Sequence, residues 1–144
     1  MSHLEWPVPA GSGQAALDTH AYNQVVRVDN TLHISGQGGW DQTTHQVPPS
    51  VPAQIDQAFA NVEHVLRAAG GKGWSQVYKV RSYHISLDEE AQAAMVRNFR
   101  KWMPSHKPLW ACVQVVRLRS DEMKVEIEVE AHDPRPVGVR ELDA

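Results

Sequence analysis

The sequence predicts an α+β fold in which two helices pack on one face of a β-sheet, and three observations support this. Two β-prone runs lie in the first third of the chain and two more lie near its end. Between these pairs, two segments repeat apolar residues at helical spacing. A fifth β-prone run separates the two helical segments. The order of two strands, helix, strand, helix and two strands is typical of helices that cover one side of a sheet.

The length of 144 residues suits one domain with a single core. We divide the chain into an irregular N-terminal arm over 1–20, which is rich in Pro, Gly and Ala, a core over 21–132 and a loose tail over 133–144. The net charge of −3 favours a small-molecule or protein partner over nucleic acid or an anionic membrane. Because the chain has one cysteine and shows neither a leader-like segment nor a membrane-length apolar run, we expect a cytoplasmic protein.

The first pair of strands is predicted to be a β-hairpin. Its two runs, 25–28 and 32–35, flank Asp29-Asn30, a pair that tolerates the positive φ angles of a tight turn. Glycines at 36, 38 and 39 then end the second strand, and a polar loop continues to Pro49. In this loop the backbone is able to approach a ligand closely.

Two helices and a strand form the middle of the chain. Ser50 is placed to cap the first helix, which Gly70-Gly71 ends. The run over 77–85 contains Val and Tyr but no Gly or Pro, and reads as a strand. Asp88 caps the second helix, which Pro104 ends.

The last two strands differ in pattern. The run over 109–117 is nearly all apolar, which predicts a strand covered on both faces. Over 124–131, apolar residues alternate with glutamates, so Glu126, Glu128 and Glu130 share one face. In a covered strand at least one of these like charges needs a partner or a proton, and Glu126 is the candidate. A row of solvated glutamates is the alternative.

Six motifs occur in the order found in Rid-type proteins, the reactive intermediate deaminases also called YjgF-like. They are Tyr22-Asn23-Gln24, Ile34-Ser35-Gly36-Gln37, Gln57-Ala58-Phe59-Ala60-Asn61-Val62, Leu66-Arg67-Ala68-Ala69-Gly70, Lys107-Pro108 and Val125-Glu126-Ile127-Glu128. Over about 22–132 the chain therefore resembles this family. The resemblance implies a chorismate-mutase-like fold with about six mostly antiparallel strands, and a homotrimer with ligand clefts between subunits. It also implies hydrolysis of enamines and imines to a carbonyl compound and ammonia, without a cofactor.

The family's site residues are assigned to the matching positions of this sequence. The resemblance implies that Glu126 is the catalytic residue, which holds or protonates the reacting water. It places Tyr22 and Cys112 in the ligand site, where Ser35 and Gly36 orient the substrate through backbone groups.

One position departs from the family. Where the deaminases carry an arginine for the substrate carboxylate, this chain has Trp110. An indole offers one N–H donor and a large apolar face, so we expect altered specificity for an aromatic or bulky imine. Arg81 or Arg117 is an alternative source of positive charge.

Structural explanations compete with each of these roles. Tyr22 and Trp110 also fit a subunit interface, Ser35 and Gly36 a strand end, and Cys112 an inert buried thiol. No metal is expected, because the eight histidines show no ligand spacing. A non-catalytic trimer that binds a small metabolite is the alternative to a deaminase. Endoribonuclease action is the least favoured hypothesis, because the basic residues over 97–107 fit a solvated helix face.

Overall fold

The computed structural model describes residues 3–136 and shows an α+β fold with three α-helices and one five-stranded sheet. The helices are α1 (Ser12–His20), α2 (Val51–Ala68) and α3 (Glu89–Trp102), and a 3-10 turn covers Gly73–Gln76. The strands are β1 (Val25–Val28), β2 (Thr31–Gln37), β3 (Val77–His84), β4 (Leu109–Gln114) and β5 (Val125–His132). The predicted fold class is confirmed, although the described part has five strands where about six were expected. Most of the predicted loose tail, 137–144, lies outside the described residues.

The sheet has the strand order β1-β2-β5-β3-β4. All neighbouring strands are antiparallel except β3 and β4, which run parallel. The predicted hairpin is present, because Val28 pairs with Thr31 and leaves Asp29 and Asn30 as its two-residue turn. Asp29 adopts a φ of 51°, the left-handed conformation that this kind of turn requires.

Helices α2 and α3 cover one face of the sheet and begin at the predicted caps. The Ser50 hydroxyl accepts a hydrogen bond from the Ala53 amide at 3.4 Å, and the Asp88 carboxylate accepts one from the Ala91 amide at 2.9 Å. Below the helices, the Phe59 ring stacks on Trp74 at 4.6 Å between ring centroids. The inward residues of β5 complete the core, as its alternating pattern predicted.

The predicted irregular arm contains a helix. Ser12–His20 forms α1, between Gly11 with a φ of 79° and Ala21 with a φ of 57°. The helix was missed because its apolar residues do not recur on one face, so its sequence has little amphipathic pattern. Upstream, the Glu5 carbonyl accepts a hydrogen bond from the Arg27 amide at 2.9 Å and ties the arm to β1.

Strand β4 does not have both faces covered within this chain, so that prediction was wrong for the single subunit. Leu109 is 69% exposed and Val113 is 45% exposed, and Val116 just beyond the strand is almost fully exposed. The physical reason is that the helices cover only the other face of the sheet, whereas Leu109 and Val113 lie beside Lys79 and Tyr83 on the face that carries the glutamates of β5. An apolar edge strand left open in this way is unusual unless another chain covers it.

Candidate functional site

The three glutamates of β5 share the sheet face opposite the helices but have different surroundings. Glu128 accepts hydrogen bonds from Arg81 at 2.9 Å and from the Tyr83 hydroxyl at 2.7 Å. Glu130 accepts one from the Tyr78 hydroxyl at 3.0 Å. Within residues 3–136, Glu126 alone of the three has no hydrogen bond or ion pair. The strand thus holds one unpaired carboxyl group beside two paired ones.

Glu126 lies directly over Gly36. The pairing of β2 with β5 shifts register between Ile34 and Gln37, so Ser35 and Gly36 form an irregular bulge beside Glu126. A Cβ atom on Gly36 would lie 2.5 Å from Cδ of Glu126 and 2.7 Å from its Cγ. Only glycine leaves room for this carboxyl group at the bulge.

The surroundings of Glu126 favour its protonated form. Burial raises the pKa of this carboxyl group, the nearby charge of Glu128 raises it further, and the positive charge of Arg119 partly opposes both effects. A carboxyl group of this kind exchanges protons at a higher pH than an exposed glutamate does. General acid–base chemistry requires such a group.

Ser35 contributes a buried hydroxyl at the same bulge. Its backbone N–H donates to the Gln24 carbonyl at 2.9 Å, and its carbonyl accepts from the Gln37 side chain at 3.2 Å. The Ser35 hydroxyl is buried and has no hydrogen-bond partner among residues 3–136. Because both backbone groups of Ser35 are used, the side-chain hydroxyl is the group left for a ligand.

A cavity of about 340 Å³ lies near this bulge. Gln24, whose carbonyl accepts from the Ser35 N–H, is part of its wall, whereas Ser35, Gly36 and Glu126 are not. Its wall includes Tyr22, Trp40, Met123 and Arg119. The Arg119 guanidinium carbon lies 5.3 Å from the centroid of the Tyr22 ring, a cation–π distance. The volume suits a small metabolite.

Arg119 was not among the residues selected from the sequence. It lies in the loop between β4 and β5, where no apolar period or motif marks a single arginine. The two arginines that were considered are already paired, Arg81 with Glu128 at 2.9 Å and Arg117 with Asp121 at 3.0 Å. Only the tertiary structure distinguishes Arg119 from them.

Trp110 and Cys112 lie on the other face of the sheet. Trp110 pairs in register with Val80, and Cys112 with Ser82, and both β3 residues are buried on the helix side. The Trp110 ring meets Phe99 edge-on at 5.0 Å, and its indole N–H donates to the Ser82 hydroxyl at 2.9 Å. Within one chain, these two residues are therefore separated by the sheet from Glu126 and Gly36.

A short polar chain runs from Trp110 into the core. The Ser82 hydroxyl accepts from the Trp110 indole and also forms a hydrogen bond of 2.8 Å with Nε2 of His84, whose direction depends on the imidazole tautomer. Burial lowers the pKa of His84, which keeps the ring neutral. His84 is therefore a structural histidine of the core.

Residues 3–136 contain no group of three or more His, Cys, Asp or Glu side chains that could hold a metal ion. Over the same range, no helix has both the length and the apolar composition needed to cross a membrane.

Comparison with known proteins agrees with this geometry. The family model of Endoribonuclease L-PSP matches residues 13–133. The RutC family protein UK114 of Drosophila melanogaster is 34% identical over 120 residues, 81% of this chain and 83% of that protein. The 2-iminobutanoate/2-iminopropanoate deaminase of Bos taurus is 33% identical over 108 residues, 74% of this chain and 76% of that protein.

Solved structures show the same likeness. RidA from an Antarctic Psychrobacter species has a TM-score of 0.72 at 30% identity, covering 89% of this chain and 95% of that one. The YjgF gene product of E. coli has a TM-score of 0.71 at 27% identity, covering 89% and 94%. Fold and site together define a small α+β protein with an unpaired, partly buried carboxyl group and a metabolite-sized cavity. The chain belongs to the Endoribonuclease L-PSP family, which is the Rid or YjgF-like family that its motifs resemble.

Proposed function

We propose that this protein hydrolyses imines or enamines to a carbonyl compound and ammonia, with Glu126 as the catalytic residue. The observation that carries the proposal is the unpaired, partly buried carboxyl group of Glu126, held over Gly36 with a raised pKa. The family and the printed activity of the Bos taurus relative support the same class of reaction.

The reaction needs one group that gives and takes protons. Protonated Glu126 donates its proton to the imine nitrogen, and a water oxygen then bonds to the imine carbon while the C=N bond becomes single. The carboxylate takes one proton from the added water and passes it to nitrogen. The C–N bond then breaks and ammonia leaves, while the carboxylate takes the remaining hydroxyl proton and the C=O bond forms. One imine and one water thus give one carbonyl compound and one ammonia, and Glu126 ends as it began. The free hydroxyl of Ser35 is placed to orient the water or substrate at the bulge.

The proposal includes altered substrate specificity. Trp110 stands where the deaminases carry their carboxylate-binding arginine, and its one donor is already used by Ser82. Losing a fork contact to a carboxylate in a closed site costs about 2–5 kcal/mol. A substrate that has an aromatic or bulky group, or lacks that contact, therefore suits this protein better than a small imino acid.

The assembly is proposed to be a homotrimer with Tyr22, Trp110 and Cys112 at clefts between subunits. The support is the apolar edge strand β4, which pairs only with β3 and exposes Leu109 and Val113. A neighbouring subunit would supply that surface. Trp110 and Cys112 of one subunit could then lie close to Glu126 of a neighbouring subunit, although the sheet separates them within one chain.

Ammonia release from imines generated by an amino-acid oxidase tests the function. Substituting the catalytic carboxyl group, Glu126→Gln, should lower the rate by about 100-fold or more, because the acid–base group is lost. Glu122→Gln is the matched control, since this glutamate is exposed in the preceding loop. Turnover retained by Glu126→Gln would show that Glu126 is not the catalytic residue. If the wild type hydrolyses no imine yet binds the products, the protein is a non-catalytic binding protein.

A further inference from the structure

The cavity near the Ser35–Gly36 bulge has a marked charge character. Its wall contains Arg119, two histidines and several hydroxyl groups, and no aspartate or glutamate among the described residues. A pocket with one cation and no acidic group favours an anionic ligand.

Arg119 is free to bind such a ligand. Among residues 3–136 its guanidinium has no carboxylate partner, unlike Arg117 in the same loop, which pairs with Asp121. The Tyr22 ring supports it from one side at 5.3 Å and leaves the planar N–H donors able to bind a carboxylate in fork fashion.

Aromatic side chains line the same wall. The indole N–H of Trp40 is buried, so its ring presents apolar atoms to the cavity. The aromatic rings of Tyr22 and Trp40 and the side chain of Met123 supply apolar surface for a ring or chain.

Arg119 is close enough to Glu126 for their charges to interact, because its positive charge opposes the rise in the pKa of that carboxyl group. In a 2-imino acid the carboxylate is attached directly to the imine carbon. A carboxylate held by Arg119 therefore brings that carbon towards the acid–base group.

We propose that Arg119 is the specificity-determining cation of this protein, which binds the carboxylate of a bulky or aromatic 2-imino acid in the cavity lined by Tyr22 and Trp40. Because it names the substrate class for the same site, this inference rests on the proposed function. In the deaminases the arginine that binds the carboxylate corresponds to position 110 on β4. Here we assign that contact to Arg119 in the β4–β5 loop.

Calorimetric binding tests the anion site without turnover. The probes are 2-oxo-3-phenylpropanoate and its uncharged amide, titrated into the wild type, Arg119→Gln and Arg117→Gln. The wild type and Arg117→Gln should bind the acid about tenfold or more tightly than the amide, and Arg119→Gln should remove this preference. The inference is overturned if Arg119→Gln keeps the preference or if the wild type shows none.

Kinetics with the imine of phenylalanine separates the two proposals. Arg119→Gln should raise KM by about 10- to 100-fold and change kcat by less than about threefold, since it acts on binding. A large fall in kcat at unchanged KM would contradict the assigned role. If the wild type releases no ammonia but the acid still binds through Arg119, the deaminase proposal fails while the anion site stands.

Discussion

The carboxyl group of Glu126 occupies the space that a side chain on Gly36 would fill. The two residues belong to neighbouring strands, and the bulge of β2 brings them together at the point where the register shifts. This contact links a backbone irregularity directly to the carboxyl group that we propose as the acid–base group.

Gly36→Ala should therefore displace Glu126. The added methyl group overlaps the carboxyl group, so we expect a loss of about 1–3 kcal/mol in the free energy of unfolding, measured in urea. The same substitution in a Glu126→Ala background should cost much less, because the overlapping group is gone. Equal costs in both backgrounds would show that the contact does not limit position 36.

The pH dependence of turnover should reflect the raised pKa of Glu126. If the protonated form gives the proton, kcat falls as the pH rises through this pKa, which burial and Glu128 raise and Arg119 lowers. Removing that cation with Arg119→Gln should move the falling limb to higher pH, while Arg117→Gln leaves it in place. A limb that stays fixed or moves to lower pH contradicts the assignment.

The raised pKa of Glu126 should also make thermal stability depend on pH. A carboxyl group with a raised folded-state pKa binds more protons in the folded state, so its contribution to stability decreases as the pH rises from the unfolded value of 4.5 through the folded pKa. Relative to Glu126→Gln, the wild-type melting temperature should decline across that window. The difference between the two proteins should be constant above it.

Ser82→Ala should destabilise the protein through two groups at once. The hydroxyl bonds both the half-buried Trp110 indole N–H and Nε2 of the buried His84, so its removal leaves both groups without this partner. We expect a cost of about 1–3 kcal/mol in urea unfolding. Ser105→Ala, at an exposed site, should change stability by less than about 0.5 kcal/mol. A small cost at Ser82 would mean that solvent replaces the hydroxyl.

Trp110→Arg restores the residue type expected at this position in the deaminases. If the cleft is otherwise intact, the variant should gain activity on small imino acids by about 30-fold or more, as measured by ammonia release. Trp110→Phe is the matched control, because it keeps an aromatic ring without adding charge. No gain from the arginine would show that the site differs from the family at more than this position.

Val113→Glu should weaken the proposed trimer. Val113 is 45% exposed on the edge strand β4, which pairs only with β3. In a trimer a neighbouring subunit would bury a charge at this position. Light scattering should show a wild-type mass of about 48 kDa, three times 16.1 kDa, and a shift of the variant towards one chain. Val8→Glu, at a site 41% exposed outside β4, should leave the mass unchanged. A single-chain mass for the wild type would refute the trimer.

Features that depend on neighbouring residues were predictable from the sequence. The turn at Asp29-Asn30, the caps at Ser50 and Asp88, and the alternating glutamates of β5 all have local physical causes. The sequence also singled out Glu126 from its neighbours. These signals sufficed for the fold class and for one member of the candidate site.

Features that depend on distant pairing were not predictable. The faces of Trp110 and Cys112 follow from their register with β3, and Leu109 and Val113 are exposed because the same register places them on the face without helices. Arg119 lies in a loop without a pattern, and only the fold places it beside Tyr22. Helix α1 lacks the apolar stripe by which α2 and α3 were recognised.

The position of β5 has a consequence for biosynthesis. It is the last described strand in the chain, yet it lies at the centre of the sheet between β2 and β3. A ribosome that makes the protein from its N-terminus therefore releases the hairpin β1–β2 and the pair β3–β4 before the strand that joins them. The edges of β2 and β3 that pair with β5 therefore stay unpaired until β5 emerges from the exit tunnel, and only then is the sheet complete.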